Sequence, residues 1–503
     1  MEVFLSAVLG ELSTRAMSLF INRYSKSMLP VVAVEDSLER ILLRAQVIID
    51  EAAGRQVTNQ GMLRQLSMLR DAMYRGYYVL DTFRCRAHRE DEAEENQVAR
   101  SSWALSKFSY AKRLRFSSSG DMQNLQELEG VLGSLRTMIL DVSELVTFLT
   151  TYPRLHRQPY SMHLLFEKCM FGRQMEMELV INFLLHTQPC CGSTPDNCDI
   201  LPIVGPGRVG KSTLVTHVCD DERVHRHFSQ IVFLRHDNFR DKEISTLTLR
   251  DVCAVGHENN MRMLVVVEVV GDLHEDLWEM LCSLTRRFSK AGSKIIITSR
   301  SNKIKKLGTV QALTLKHLSD EAYWYFFKVI TFGSTDPHMH PELVHLAMEI
   351  ARAHNGSLFA ANMTACLLRA NFDIQFWRKV LAFLRGYLEK HFSMFGEHPC
   401  DMLEGNIPTY IQRMGRTTED FYVFDQYQMC SSQEEIPTIT IQDVMYRGVK
   451  PHGIFKVLAW KSQIPPYYCY VYTCEIQELQ TRFIKRKRSL IYDIRQGSLA
   501  CQQ

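Results

Sequence analysis

No stretch of 18 uncharged apolar residues occurs in the chain, so no segment is expected to cross a bilayer as a helix. Cys-x-x-Cys pairs are missing as well, although the chain holds 14 cysteines. That argues against a structural zinc site or a redox dithiol, and scattered thiols suit the reducing conditions of the cytoplasm. Met1-Glu2 opens neither a basic region nor an apolar block ending in a small-residue cleavage site, so no secretory leader is expected. An excess of one charge is also lacking. The formal net charge of +3 over 503 residues is too small for a protein built mainly to coat nucleic acid. No leucine-rich, ankyrin, tetratricopeptide or propeller period is found.

What is present is an ordinary globular composition, 46% hydrophobic and 23% charged, long enough for several domains. The first 150 residues read as amphipathic helices. Phe4, Val8, Leu12, Ala16 and Phe20 recur at steps of four. Leu38, Ile41, Leu42, Ala45, Ile48, Ile49 and Ala52 form a second stripe, with Asp36 as its expected N-cap and Glu39 completing a capping box. Stripes over 62–80 and 125–145 follow, and the acidic stretch 89–95 and the Ser-rich 117–120 read as connections. Such helices bury their faces on one another as a bundle. The pattern changes near residue 160. Apolar runs at 200–204, 230–234, 264–269 and 294–298 alternate with helical segments, the signature of a parallel sheet covered on both faces. The region 165–335 is therefore expected to be an α/β domain. A helical segment follows at 336–400, including a helix over 343–353 capped by Asn355-Gly356. Strands are expected beyond 400, at 421–424, 438–441, 455–460 and 467–474.

Gly205-Pro206-Gly207-Arg208-Val209-Gly210-Lys211-Ser212 fits the phosphate-binding pattern GxxxxGK[ST] in full. Glycine lets the backbone wrap closely around phosphate, and a strand before and a helix from Thr213 after it are the context the motif needs. Lys211 is expected to reach the β- and γ-phosphates and Ser212 to bind Mg²⁺. Glu268, at the end of an apolar run, is the candidate second metal ligand. Val269 follows it where many P-loop ATPases place a second acid, and valine cannot accept a proton, so binding is better supported than hydrolysis and no catalytic residue is assigned. Asn302-Lys303-Ile304-Lys305 lacks the Asp of a guanine-specific motif, which favours adenine.

These residues fall in a recognisable series, and the chain resembles the NB-ARC family of plant disease-resistance proteins over roughly residues 1–370. Phe171-Gly172-Arg173-Gln174 looks like the family's opening motif, which implies that Gly172 and Arg173 lie near the adenine. Val224-His225-Arg226-His227-Phe228, Leu264 through Val270, and Gly292 through Arg300 resemble later blocks in order. The resemblance places Arg300 on the γ-phosphate. Leu315 through Ser319 with Phe326-Phe327 resembles the block closing the nucleotide domain. The helices of 1–150 look like the coiled-coil domain of these receptors. Of its acidic EDVID-type stretch only Asp81 remains, with Tyr77 and Tyr78 at the first two acidic positions. Two further departures stand out. Gly356-Ser357-Leu358-Phe359-Ala360 puts Leu358 where a proline normally packs on adenine, and no Met-His-Asp triplet follows.

The resemblance implies a switch in plant defence that binds ADP or ATP with Mg²⁺ and hydrolyses slowly or not at all. Its expected partners are immune-signalling proteins, related receptors or further copies of itself. The alternative is a non-hydrolysing relative that acts as scaffold, helper or decoy through its helical domain. Cytoplasmic localisation is expected. Lys485-Arg486-Lys487-Arg488 leaves a nuclear pool open, and the 4–20 stripe a peripheral-membrane pool. His225 with His227, and His338 with His340, read as packing residues before metal ligands. The tyrosines at 467, 468, 470 and 472 are either an aromatic binding face or sheet core.

Overall fold

The structure, a computed structural model, describes residues 31–98, 119–154, 170–186, 199–235, 262–269, 292–404, 407–414, 419–429, 436–446, 448–462 and 467–478. The 4–20 stripe, most of the loop before residue 199 and the basic run 485–488 lie outside them. Two compact units are formed, Met1–Leu381 with Gln463–Pro466, and Ala382–Ser462 with Tyr467–Gln503.

The first unit opens with helices α1 (Val31–Ala53), α2 (Gln60–Val98), α3 (Ser119–Asp141) and the short α4 (Ser143–Leu149). The expected stripes are their buried faces: Leu38 and Leu42 from α1, Leu69 and Met73 from α2, Leu128 and Leu135 from α3. Full burial of each such side chain contributes about 1.5–3 kcal/mol. Three helix limits differ from expectation. Asp36 lies inside α1 rather than capping it, because Val34, one turn before Leu38, is also buried and draws the helix upstream. The acidic stretch 89–95 continues α2 instead of breaking it, as Glu and Ala are good helix formers whatever their charge. Ser119 and Gly120 begin α3. The start of α2 is set by Asn59, whose side-chain oxygen accepts the Met62 N–H at 3.1 Å.

A five-stranded sheet follows, built from β1 (Asp199–Val204), β2 (Gln230–Arg235), β3 (Met263–Glu268), β4 (Lys294–Ser299) and β5 (Leu313–Thr314). Its order is β2-β3-β4-β1-β5 and every described pairing is parallel. Alternate residues go to opposite faces, as a strand's two-residue period requires. Leu201, Ile203, Leu264, Val266 and Ile296 pack with α5 (Gln174–Leu185), α6 (Lys211–Cys219) and α7 (Glu222–His227). Ile200, Val265, Val267, Ile295 and Ile297 form the core of the other face. Lys294, buried at the start of β4, donates to the Phe183 and His186 carbonyls and so caps the C-terminus of α5.

Helices α8 (Asp320–Phe332), α9 (Pro341–Ala353) and α10 (Leu358–Ala370) follow. Tyr323, Trp324, Tyr325, Phe326 and Phe327 of α8 are all buried, so this helix is enclosed on every side. Toward α2, the Trp324 indole N–H and the Lys328 ammonium both donate to one Asp81 carboxylate oxygen, at 2.8 and 2.6 Å. Away from α2, Phe327 meets the buried His354 edge-on at 5.2 Å between ring centres. Helix α9 ends as expected, with Asn355 and Gly356 in the left-handed region at φ 50° and 73°.

Helix α11 (Ile374–Phe395) ends in the second unit, which continues with α12 (Pro399–Glu404). Strands β6 (Thr409–Gln412), β7 (Glu419–Met429), β8 (Ile454–Lys461) and β9 (Cys469–Glu478) form an antiparallel sheet ordered β6-β7-β9-β8. Of the strand expected at 438–441 only an isolated parallel bridge from Thr440 to Leu458 forms, and Ile441 begins helix α13 (Ile441–Met445), because Thr440 and Asp443 form a capping box. Strand β6 had not been expected. Tyr468 and Tyr472 are buried, so the tyrosine run belongs chiefly to the sheet core.

Asp81→Asn leaves the buried Lys328 ammonium without its countercharge, which typically costs about 3–5 kcal/mol. Thermal unfolding of the full chain should show a clearly lowered midpoint. Asp81→Leu combined with Lys328→Met, which removes both charges, should regain most of the loss. An unchanged midpoint for Asp81→Asn would show that the pair carries no stability.

Candidate functional site

The phosphate-loop motif leaves the end of β1 and is gripped at its root from both neighbouring strands. Gly205 N–H donates to the Ser299 carbonyl at 3.3 Å, and Leu315 N–H donates to the Val204 carbonyl at 2.8 Å. A Cβ on Gly205 would stand 2.5 Å from the Leu315 carbonyl oxygen, so only glycine fits the close approach. Val209 turns inward and is buried among the side chains of α5 and α6. Gly210 sits at φ 92° directly before α6, with Met170 beside it. Lys211, Ser212 and Thr213 form the first turn of α6, where unbonded N–H groups and the positive end of the helix dipole favour an anion. The Lys211 ammonium donates to the Gly205 and Pro206 carbonyls at 2.8 and 2.6 Å, which holds it over the loop. The loop thus brings together a helix N-terminus and a cation, a chemistry that suits phosphate.

The other expected residues lie along the same carboxyl edge of the sheet, where open parallel sheets place ligands. Glu268 pairs in register with Thr298, which pairs with Ile203. Ser212 and Glu268 offer the hard hydroxyl and carboxylate oxygens that Mg²⁺ accepts, so the donor set fits that ion. Val269 is fixed by its N–H, which donates to the Thr298 carbonyl at 2.9 Å, and its side chain packs in the sheet core. Arg300 follows β4 directly and is exposed. Gly172 takes φ 68° beside Leu318. Arg173 is buried, and its guanidinium donates to the Lys316 carbonyl and, at 3.0 Å, to Glu176. These bonds make it a brace between the turn at 170–173 and the segment after β5.

Toward the opposite, amino edge, where β2 begins, the block at 224–228 is anchored by Arg223. Its guanidinium forks onto both Glu178 oxygens at 3.0 and 2.8 Å and also binds Asp221. Burial pushes the Asp221 carboxyl up, but its bonds to Arg223 outweigh burial and hold it below the usual carboxylate range. His227 lies edge-on to Phe228 at 4.9 Å and His340 to Phe372 at 5.0 Å. His338 Nδ1 accepts from Arg84 at 2.6 Å, leaving Nε2–H toward Glu39 at 3.5 Å. Among the described residues no group of three His, Cys, Asp or Glu is placed to hold a metal ion, and no helix is long and apolar enough to cross a membrane.

Two features escaped the sequence reading. Arg208, in the loop itself, takes φ 52° and lies over the ring of Phe359. Lys328 partners Asp81 across 247 positions. An arginine in a glycine-rich loop was a visible oddity, but nothing local pointed to Phe359 or to Lys328.

A loop of this form on a parallel five-stranded sheet defines a P-loop α/β module, here joined to an N-terminal helical bundle. Residues 4–110 match the family model of the Rx N-terminal domain. Disease resistance protein RGA2 of Solanum bulbocastanum is 23% identical over 353 residues, covering 67% of this chain and 34% of that protein. The RPP13-like protein 1 of Arabidopsis thaliana is 26% identical over 375 residues, covering 69% of this chain and 34% of that protein. The chain is a relative of plant disease-resistance proteins, at modest identity over about two thirds of its residues. It spans about a third of the length of the curated relatives it matches. Among solved structures, C. elegans PCH-2 covers 40% of this chain and 63% of its own at 13% identity and a TM-score of 0.29. Drosophila ORC bound to DNA covers 44% and 66% at 12% identity and 0.28.

Gly205→Ala forces a methyl group against the Leu315 carbonyl and should loosen the root of the loop. Hydrogen exchange at the Leu315 amide is expected to accelerate and the unfolding midpoint to fall. Gly133→Ala, in helix α3 with nothing within 4 Å of the new methyl, should instead gain up to about 1 kcal/mol. Equal behaviour of the two variants would contradict the close approach.

Proposed function

We propose that the chain is a nucleotide-dependent signalling switch of plant innate immunity, binding ADP or ATP with Mg²⁺ through 165–335 and passing the state of that site to the helices on either side. Residues 336–400 are assigned as a helical ARC-like segment and 1–150 as the signalling domain. The observation that carries this reading is the single edge that holds the Gly205–Ser212 cradle, Glu268 and Arg300, in a unit whose helix α8 is locked onto α2. The disease-resistance names of the relatives support the biological setting.

Each residue has a task in this reading. Backbone N–H groups from Gly207 to Thr213 take the phosphate oxygens, while Gly205 and Val209 hold the loop's shape. Lys211 exchanges its two carbonyl partners for the β- and γ-phosphates. Ser212 and Glu268 would hold Mg²⁺, which would supply positive charge against the phosphates. Arg300, exposed directly after β4, meets a γ-phosphate that ADP lacks, which gives the two nucleotides the different affinities a switch requires. Gly172 and Arg173 brace the adenine end. Val269, apolar and packed in the core, cannot act as a base, so turnover is slow or absent. The site operates in the cytoplasm, with immune-signalling proteins, related receptors or further copies as partners.

Denaturing the purified protein and chromatographing the released nucleotide should recover close to one ADP or ATP per chain. Lys211→Ala removes a charge-assisted contact and should weaken binding about 10–100-fold and abolish signalling. Wild-type protein that is empty and fails to bind added nucleotide would overturn the switch. So would a Lys211→Ala variant with undiminished partner binding and activity, which is the behaviour of the scaffold alternative.

A further inference from the structure

The phosphate loop carries one residue that its geometry does not favour. Arg208 holds φ at 52°, in the left-handed region where a side chain on Cβ is strained and glycine is not. Such strain persists where the surroundings fix it. Here the guanidinium carbon of Arg208 stands 5.5 Å from the centre of the Phe359 ring, within the distance at which a cation is attracted to an aromatic face.

Phe359 is itself held firmly. It lies in the first turn of α10, whose N-cap Ser357 accepts the Ala360 N–H at 3.3 Å. The buried Tyr323 hydroxyl donates to the Ser357 carbonyl at 2.9 Å. The preceding Asn355 and Gly356 are both left-handed and fix the direction in which the chain enters the helix. Tyr323 belongs to α8, which also carries Trp324 and Lys328 to Asp81. A continuous series of contacts therefore runs from the phosphate loop through Phe359, Ser357 and Tyr323 to the helical bundle.

We propose that Arg208 is a positioning residue that couples occupancy of the phosphate loop to the first turn of α10 through the face of Phe359. The proposal rests on the nucleotide-binding reading and names how that site is relayed. The backbone of Arg208 belongs to the turn that must aim its N–H groups at phosphate, so a change in that turn moves the guanidinium relative to the ring. A bound phosphate also competes for the guanidinium, because a charge-assisted bond to an anion is stronger than contact with a ring. Either effect makes the first turn of α10 respond to nucleotide.

The test compares the full chain with Arg208→Gly, Phe359→Leu, their combination and Phe359→Tyr. Arg208→Gly suits the loop's φ and Phe359→Leu keeps an apolar side chain, so neither threatens folding. Mg-ADP affinity is measured by calorimetry, and hydrogen exchange of residues 358–363 is followed with and without Mg-ADP. In wild type, Mg-ADP should change that exchange. Compared at Mg-ADP concentrations that saturate each protein, both single variants should lose about two- to fivefold of the response, the size of one cation–π contact. The double variant should lose no more than either single one, and Phe359→Tyr, which keeps the ring, should respond like wild type. Wild-type protein that binds Mg-ADP while both single variants retain the full response would overturn the coupling alone. Wild-type protein that binds no Mg-ADP would overturn the nucleotide reading and the coupling with it.

Discussion

A carboxylate and an ammonium, both nearly shut off from water, meet where α2 crosses α8. Asp81 and Lys328 are separated by 2.6 Å, and the Trp324 indole supplies a second donor to the same oxygen. Burying either charge alone is costly, so the two helices cannot part without exposing both to water or stranding one. The rest of the first unit is arranged around that condition. Tyr74 and Tyr77 of α2 meet Tyr325 at 4.8 and 5.3 Å, and Phe171 lies 5.3 Å from Tyr74. That aromatic cluster brings the turn at 170–173 to the same joint, and Met170 at its start reaches Gly210 of the phosphate loop. About one turn further along α2, Arg84 binds Glu35 and Glu39 of α1, and His338 closes the group. The outer charges are half-exposed and contribute little each. The inner pair makes the joint specific.

The site and the joint were legible in the sequence to different degrees, for a physical reason. The phosphate loop is a contiguous motif, because a backbone cradle has to be made by neighbouring residues. The apolar runs of β1 to β4 were legible for a similar reason, since strands buried on both faces leave no room for polar alternation. The stripes of α1 to α3 followed from helical period. What escaped notice depends on partners distant in sequence. Arg173 reads as an adenine-side residue, yet its donors go to the Lys316 carbonyl and Glu176. Lys294 reads as the polar start of a strand, yet it is buried as a cap on α5. At 438–441, β-branched residues suggested a strand, but the Thr440 and Asp443 side chains satisfied the first backbone groups of a helix instead. Local hydrogen bonding outweighed residue preference there.

The lone acid of the EDVID-type stretch shows how a sequence departure can mislead. Counted by formal charge alone, Tyr77 and Tyr78 in place of acids weaken the contacts of this stretch. In the structure the stretch makes an enclosed contact through one carboxylate and aromatic rings. The Lys328 ammonium lies 4.7 Å from the centre of the Tyr77 ring and 5.8 Å from that of Trp324, so its charge faces one carboxylate and two π systems. Burial, with Asp81 nearby, pushes the Tyr77 phenol well above its ordinary value and keeps it neutral, and its hydroxyl donates to Gln46 at 2.8 Å. An aromatic face attracts a cation with far less desolvation cost than a second carboxylate would bring. A second carboxylate at position 77 in this enclosed place would repel Asp81, and one of the two would take up a proton. One acid flanked by rings avoids that repulsion and buries apolar area besides. The substitution therefore suits a joint enclosed by protein, whereas a row of acids suits one reached by water, and the burial of Asp81 and Lys328 puts this joint in the first class.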